Sequence, residues 1–317
     1  MLNFMRLLWS FSRPHTIIGT ILSVAALGLM AAVLPTPLRV TFEDTYNRII
    51  IPILIALLPS TCANIYIVGL NQLTDVEIDR INKPNLPLAS GQLSFTQSLW
   101  LIILSGFFAL LLAISQGSIL LVTVALSMAI GTCYSLPPIR LKRFPVWSAL
   151  CIFSVRGIIV NLGFYLYFSN LFGRFNQISL GSSSIPPEVW ALSQFVVLFT
   201  LAIAFLKDVP DIEGDRMFNI FTLTVRLGSY KVFRLSTWLI STCYLLIAVY
   251  AAFGLLPSTN PHFIILSQLS LLVLFWKQNL NLNIESKHQV SRYYQFIWKL
   301  FFLEYIIFPI GLLLPIL

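Results

Sequence analysis

Asn71, Asp75 and Asp79 stand four residues apart in the stretch Asn71-Gln72-Leu73-Thr74-Asp75-Val76-Glu77-Ile78-Asp79. On a helix that spacing stacks the three side chains on one face, one turn above the next. A second stretch, Lys207-Asp208-Val209-Pro210-Asp211-Ile212-Glu213-Gly214-Asp215, repeats the step with Asp211 and Asp215 and places Asp208 one turn before Asp211. Carboxylates so spaced repel one another, so each cluster needs something positive between its members. Hard oxygen donors without His or Cys suit Mg²⁺, which keeps water and shares its shell with substrate phosphates. Two such clusters facing each other would hold the ion against a diphosphate. Lys83, Arg140, Lys142, Arg143, Lys207 and Arg226 flank them and can neutralise the remaining phosphate charge.

The elements that must position these groups are apolar. The 317 residues are 57% hydrophobic and only 10% charged, with a mean hydropathy of +0.86. A soluble chain of this length would need a charged shell that these residues cannot supply. Seven of the 12 acidic residues (Asp75, Glu77, Asp79, Asp208, Asp211, Glu213 and Asp215) fall in the two stretches above. Cys62, Cys133, Cys151 and Cys243 all lie in apolar runs without a CxxC pair, as small buried hydrophobes do, and form neither a disulfide frame nor a zinc site. The net charge of +8 is carried by short loops between apolar segments, a pattern of membrane topology and not of nucleic-acid binding.

A helix needs roughly 20 apolar residues to cross the hydrocarbon core. Nine stretches qualify, near Thr16–Leu34, Ile49–Leu70, Leu99–Ser115, Ile119–Ser135, Val146–Phe168, Val189–Leu206, Val232–Leu255, Phe263–Lys277 and Tyr294–Pro315. A Gln116-Gly117-Ser118 turn makes the third and fourth a tight hairpin. The expected fold is therefore all-α, one integral membrane bundle over residues 1–317. Fifteen of the 20 Lys and Arg residues fall on the face that holds the N-terminus, against Arg39, Arg48 and Arg174 on the other. That asymmetry predicts a cytoplasmic N-terminus, an outer C-terminus and both acidic clusters at the cytoplasmic face. With the first span beginning almost at once, a bacterial-type membrane is the expected setting, and lipid the surroundings of the bundle.

The paired Asn-x-x-x-Asp-x-x-x-Asp and Asp-x-x-x-Asp elements, one after the second span and one after the sixth, resemble those of the UbiA superfamily of intramembrane aromatic prenyltransferases. The stretches Asn71–Gly91, Lys207–Gly228, Ser12–Thr20 and Val155–Gly163 are similar to those of homogentisate phytyltransferases of tocopherol synthesis. Gln72 and Leu86 stand where many superfamily members carry Asp and Arg, and Lys142 follows Tyr134 by eight residues where several relatives have four. The resemblance implies a Mg²⁺-dependent enzyme that joins a phytyl or geranylgeranyl group from its diphosphate to homogentisate, with loss of CO₂. It implies Mg²⁺ on Asn71, Asp75, Asp79, Asp208, Asp211 and Asp215, with Asp75, Asp79, Asp211 and Asp215 catalytic. Lys83, Arg140, Lys142, Lys207 and Arg226 would bind diphosphate, and a membrane of a photosynthetic bacterium would be the site of action.

Arg156, in the fifth span with Asn161 five residues on, is expensive in lipid and marks a functional position by default. A carboxylated acceptor would give it a bidentate partner. Together with Asn161 and with His15, which can orient or deprotonate a phenol, it forms the expected acceptor site. Homogentisate polyprenyltransfer of plastoquinone synthesis, chlorophyll synthase, 4-hydroxybenzoate prenyltransfer and, more remotely, transport stay open, because prenyl length and tunnel depth are not encoded in these strings. Orientation can be checked directly: a phosphatase active only outside the cytoplasm should be active when fused after Leu317 and silent when fused before Met1. The reverse pattern would invert the topology and move both acidic clusters outside.

Overall fold

The computed structural model describes residues 2–34, 45–173, 185–217, 222–280, 282–284 and 286–315. Arg39 and Arg174, two of the three cations expected on the outer face, lie outside these residues. Backbone polar groups in a bilayer have no water to bind, so a spanning segment must satisfy them within its own helix. All regular elements among the described residues are helical.

Nine described helices are long and apolar enough to cross a membrane: Pro14–Val33, Tyr46–Thr74, Phe95–Ser115, Ser118–Ser135, Pro145–Leu171, Pro187–Lys207, Ser229–Ala252, Pro261–Leu280 and His288–Leu313. They match the nine expected spans one for one. The third and fourth are joined at Gly117, whose φ of 112° is open to glycine and strained for other residues. The first, sixth and ninth spans form the buried centre, and the ninth packs on the first to close the bundle. The third and eighth are the most peripheral, with 28% and 17% of their apolar windows buried against protein.

Several features depart from regular helix in ways the sequence did not announce, among them a π turn over Tyr46–Ile50 at the start of the second span. The fifth span widens into a π turn over Ser154–Val160, the segment that carries Arg156. The second span does not run on through its acidic motif. It ends at Thr74, Asp75 leaves helical conformation, and a short helix resumes over Val76–Asn82. The expectation of Asn71, Asp75 and Asp79 on one continuous helix face is corrected accordingly, and like-charge repulsion at this spacing is the physical reason to break there. The second motif is likewise split, by a turn between Lys207 and the short helix Ile212–Met217.

Lys299 and Glu304, both in the last span, do not neutralise each other. Lys299 is exposed, whereas Glu304 is fully buried and accepts a 2.7 Å hydrogen bond from Gln268 Nε2 of the eighth span. This bond ties the eighth span to the ninth.

Glycine sets how closely the fifth span approaches the sixth. A Cβ on Gly157 would lie 2.4 Å from Val197 Cγ2 and 2.9 Å from the Val197 backbone nitrogen. Gly157→Ala must therefore push the two spans apart, an overpacking cost of about 1–3 kcal/mol. A lower unfolding midpoint in detergent is expected, with activity falling because the sixth span carries Lys207 and Asp208. An unchanged midpoint would show that the spans have room the structure denies them.

Candidate active site

The short helices Val76–Asn82 and Ile212–Met217 pack against each other, which brings the two acidic motifs together. An ion pair between Lys83 and Asp211 crosses the junction. Beneath it lies a cavity of about 80 Å³ lined by Arg13, Asn71, Asp75, Asp79, Lys83, Tyr134, Lys142, Lys207, Asp208 and Asp211.

Every acid of this wall whose side chain is described meets a cation. Asp75 receives Arg140 at 2.9 Å and Lys142 at 2.7 Å, and Asn71 Nδ2 donates to it at 3.1 Å. Lys142 also donates to Thr74 Oγ1 at 3.0 Å. Arg13 lies 3.6 Å from Asp79 Oδ2. Lys207 lies 3.7 Å from Asp208 and donates to Tyr134 Oη at 3.2 Å. Arg13 (φ 51°) and Arg140 (φ 38°) are the two non-glycine residues with positive φ among the described residues. Strain of this kind persists only where the surroundings enforce it, and here it aims one arginine at each aspartate of the first motif.

Burial sets the charge balance. It pushes the Asp79 carboxyl above its ordinary value, against the opposing pull of Arg13 and Lys83, and it does the same to Asp208. The Lys142 ammonium is drawn down to about 8 by burial, although Asp75 beside it favours the charged form. The site is thus a desolvated set of carboxylates and ammonium groups in close balance.

The donor set fits Mg²⁺. Asp79 Oδ2 is buried with no hydrogen-bond donor, an oxygen that a divalent cation would satisfy. Asn71 spends its amide N–H on Asp75 and leaves its carbonyl oxygen unused. Among the described residues no three carboxylates converge into a closed metal cluster. Oxygen ligands spread around a cavity leave room for phosphate and water, as Mg²⁺ requires.

The predicted residues do not all converge. Lys83, Lys142 and Lys207 line the cavity, and Lys142 reaches it in spite of its longer spacing from Tyr134. Arg140 holds Asp75 from the opposite side, where with Arg80 and Arg143 it lines an open groove of about 940 Å³. Arg226 is exposed on the helix Leu223–Leu227 and is not part of the cavity wall, so the structure does not bring it together with the three lysines. Its loop position was legible, but not the side of the loop it faces. The Asp215 side chain lies outside the described residues. Gln72 is buried and donates to the Phe11 carbonyl at 2.6 Å, so this departure from the superfamily pattern anchors the N-terminal helix Leu2–Phe11. Sequence reasoning missed Arg13, whose pairing with Asp79 depends on a backbone conformation that no pattern reveals.

A second chamber, of about 160 Å³, lies inside the membrane between the first, second, fourth, fifth and ninth spans. Thr16, Thr20, Ser23, Ser60, Asn64, Thr123, Ser127, Arg156 and Tyr305 add polar atoms to a wall that is otherwise apolar, with Ile67, Val68, Val124, Val160 and Phe164 among its lining. The Arg156 guanidinium sits 4.6 Å over the Trp298 ring and 6.0 Å over Phe301, and no carboxylate pairs with it among the described residues. His15 packs on the same Trp298, with ring centroids 4.8 Å apart. His15 and Arg156 thus lie against one aromatic side chain, although His15 lines neither cavity. Asn161 is fully buried and does not line the chamber; its Oδ1 accepts from Tyr305 Oη at 2.9 Å. Asn161 therefore stands behind Tyr305 and not beside Arg156 in the chamber lining.

A match to the UbiA prenyltransferase family spans residues 21–300. Homogentisate phytyltransferase of Synechocystis sp. is 47% identical over 97% of this chain and 96% of that protein. Homogentisate geranylgeranyltransferase of Triticum aestivum is 35% identical over 96% of this chain and 72% of that protein. In fold, the chain is similar to a UbiA homolog from Archaeoglobus fulgidus bound to DMAPP and Mg²⁺, with a TM-score of 0.58 and 16% identity over 94% of this chain and 97% of that one.

Asp75→Ala and Asp211→Ala each remove one anchor of the acidic cavity. Each is expected to lower Mg²⁺-dependent turnover by at least about a hundredfold, the scale of losing one electrostatic stabiliser of developing charge, while membrane insertion is retained. Near-normal turnover by either variant would remove that residue from the metal and diphosphate site.

Proposed function

The chain belongs to the UbiA prenyltransferase family, and on that premise we propose that it joins a phytyl group from phytyl diphosphate to homogentisate, releasing diphosphate and CO₂. The reading rests above all on the convergence of the two acidic motifs on one cavity. Asn71, Asp75, Asp79, Asp208 and Asp211, together with Asp215, would hold Mg²⁺. The ion supplies charge neutralisation for the diphosphate as it leaves.

Lys83, Lys142, Lys207 and Arg13 line the same cavity and bind the remaining phosphate oxygens. Arg140 acts from behind, fixing Asp75. As the allylic C–O bond breaks, the electron pair departs with the diphosphate, and these cations stabilise the developing charge. A ring carbon of homogentisate bonds to the prenyl carbon and gives up its proton. Loss of CO₂ from the side chain leaves a benzylic carbon that takes up one proton, so the product is a methyl-phytyl-quinol. The spans exclude water that would otherwise capture the cationic prenyl group.

Arg156 receives the acceptor carboxylate, for which its two-pronged guanidinium is suited. Its charge is balanced by aromatic faces and not by an acid, so its N–H groups remain available. His15, packed on the Trp298 ring that also faces Arg156, orients the acceptor. The same orientation proposal puts the acidic cavity at the cytoplasmic face of a photosynthetic bacterial membrane.

Purified protein supplied with homogentisate, Mg²⁺ and phytyl diphosphate should yield the decarboxylated phytyl-quinol by mass spectrometry, with geranylgeranyl and solanesyl diphosphate poorer donors. A product with solanesyl diphosphate alone would move the assignment to polyprenyl transfer. Turnover only with another aromatic would discard homogentisate. Arg156→Leu is expected to raise KM for homogentisate at least tenfold, the order of a lost charged hydrogen bond, with little change in KM for the donor. Equal effects on both substrates would return Arg156 to a structural role.

A further inference from the structure

Behind Asp75, the open groove of about 940 Å³ combines two kinds of wall. Arg80 comes from the short helix after the second span, and Arg140 and Arg143 from the turn around Leu141–Arg143. Leu88 and Leu93, both buried, and Phe95 at the start of the third span supply an apolar wall. Three cations against two carboxylates, Asp75 and Glu77, leave the groove with one positive charge in excess. Glu77 takes Arg80 through both oxygens, at 2.9 and 3.0 Å, and Asp75 takes Arg140 at 2.9 Å. Arg143 is left exposed, and among the described residues no acid lies within ion-pair distance of it.

The neighbouring side chains decide what kind of anion this groove meets. Phe95 and Trp100 in the first turns of the third span, and Phe144 and Trp147 at the start of the fifth, are all exposed. Aromatic rings at the ends of spans sit at the level of lipid headgroups. The third span has only 28% of its apolar window buried against protein, so its outer face meets acyl chains. The groove therefore lies where the phosphate and the hydrocarbon of a lipid are both at hand, and basic pockets between span ends at this level take anionic headgroups. A guanidinium offers a phosphate paired N–H groups, and the apolar wall suits the upper part of the acyl chains. A free phosphate would use the arginines alone and leave that wall in water. We infer that the groove binds the anionic headgroup of a membrane phospholipid, with Arg143 as its charged anchor. Arg140 both lines the groove and holds Asp75, so the bound lipid lies one side chain away from the first acidic motif.

The test uses the full-length protein in detergent, without substrates, and native mass spectrometry with phosphatidylglycerol and phosphatidylcholine of matched acyl chains. One phosphatidylglycerol is expected to be held at least about tenfold more tightly than phosphatidylcholine, the scale of one charged hydrogen bond. Arg143→Gln should erase most of that preference and Arg143→Lys restore part of it, with unfolding midpoints in phosphatidylcholine unchanged to show that both variants are folded. Arg292→Gln removes an equal charge from the exposed start of the ninth span and should leave the preference intact. Equal retention of the two lipids by the unaltered protein would overturn the inference, as would an equal loss in Arg292→Gln. So would loss of the preference in Lys207→Gln, because that side chain lines the acidic cavity and not the groove. Displacement of the lipid by an equal concentration of glycerol phosphate would mark a site for free anions, and a polypeptide retained in the lipid's place would mark a protein interface; either result overturns the inference. No turnover enters this test, so its failure leaves the donor and acceptor assignment to the assay above.

Discussion

A carboxylate at the edge of a hydrocarbon slab is stable only when a cation or metal meets it, and the polar end of this bundle is organised around that requirement. Four acidic side chains, counting those described, crowd one small cavity whose walls are largely desolvated. Leaving any one of them without its partner would cost about 3–5 kcal/mol. The chain supplies the counter-charge from distant places: Arg13 before the first span, Lys83 after the second, Arg140 and Lys142 after the fourth, and Lys207 at the end of the sixth. The ion pairs thus stitch together four separate connections, and the bundle can assemble its polar face only in the arrangement that satisfies them all.

Much of the irregular structure follows from this demand. The second span breaks at Asp75, where a continuous helix would stack like charges. Arg13 and Arg140 adopt positive φ, and each lands on an aspartate of the first motif. Gln72, adjacent to the motif, faces away and fastens the N-terminal helix. Local regularity has been given up where charge placement required it, while the spans below remain regular because their backbone has no other source of hydrogen bonds.

The π turn of the fifth span serves a different charge. Arg156 lies in a π turn, a form often found at functional positions. Its compensation comes from the Trp298 and Phe301 rings, an arrangement that balances charge without occupying the guanidinium edge. The acidic cavity and the Arg156 chamber are therefore electrostatic opposites: one is lined by carboxylates with their cations, the other by a cation held over aromatic rings with no carboxylate paired to it among the described residues.

The sequence by itself determined the class of fold and the chemistry of the polar end. Nine apolar stretches could do nothing but span, because 20 apolar residues are soluble nowhere else, and the acids were so few that their clustering identified them. Asp75, Asp79, Asp208, Asp211, Lys83, Lys142, Lys207 and Arg156 were all legible in that way. Which cation meets which acid was decided only in three dimensions, since partners such as Lys83 and Asp211 are more than 120 residues apart. So were the role of Arg13, the outward turn of Arg226 and the retreat of Asn161 behind Tyr305. Composition and spacing place a residue on a span or in a loop. The direction in which its side chain points depends on helix breaks, π turns and left-handed residues, and those arise from the packing of the spans against one another.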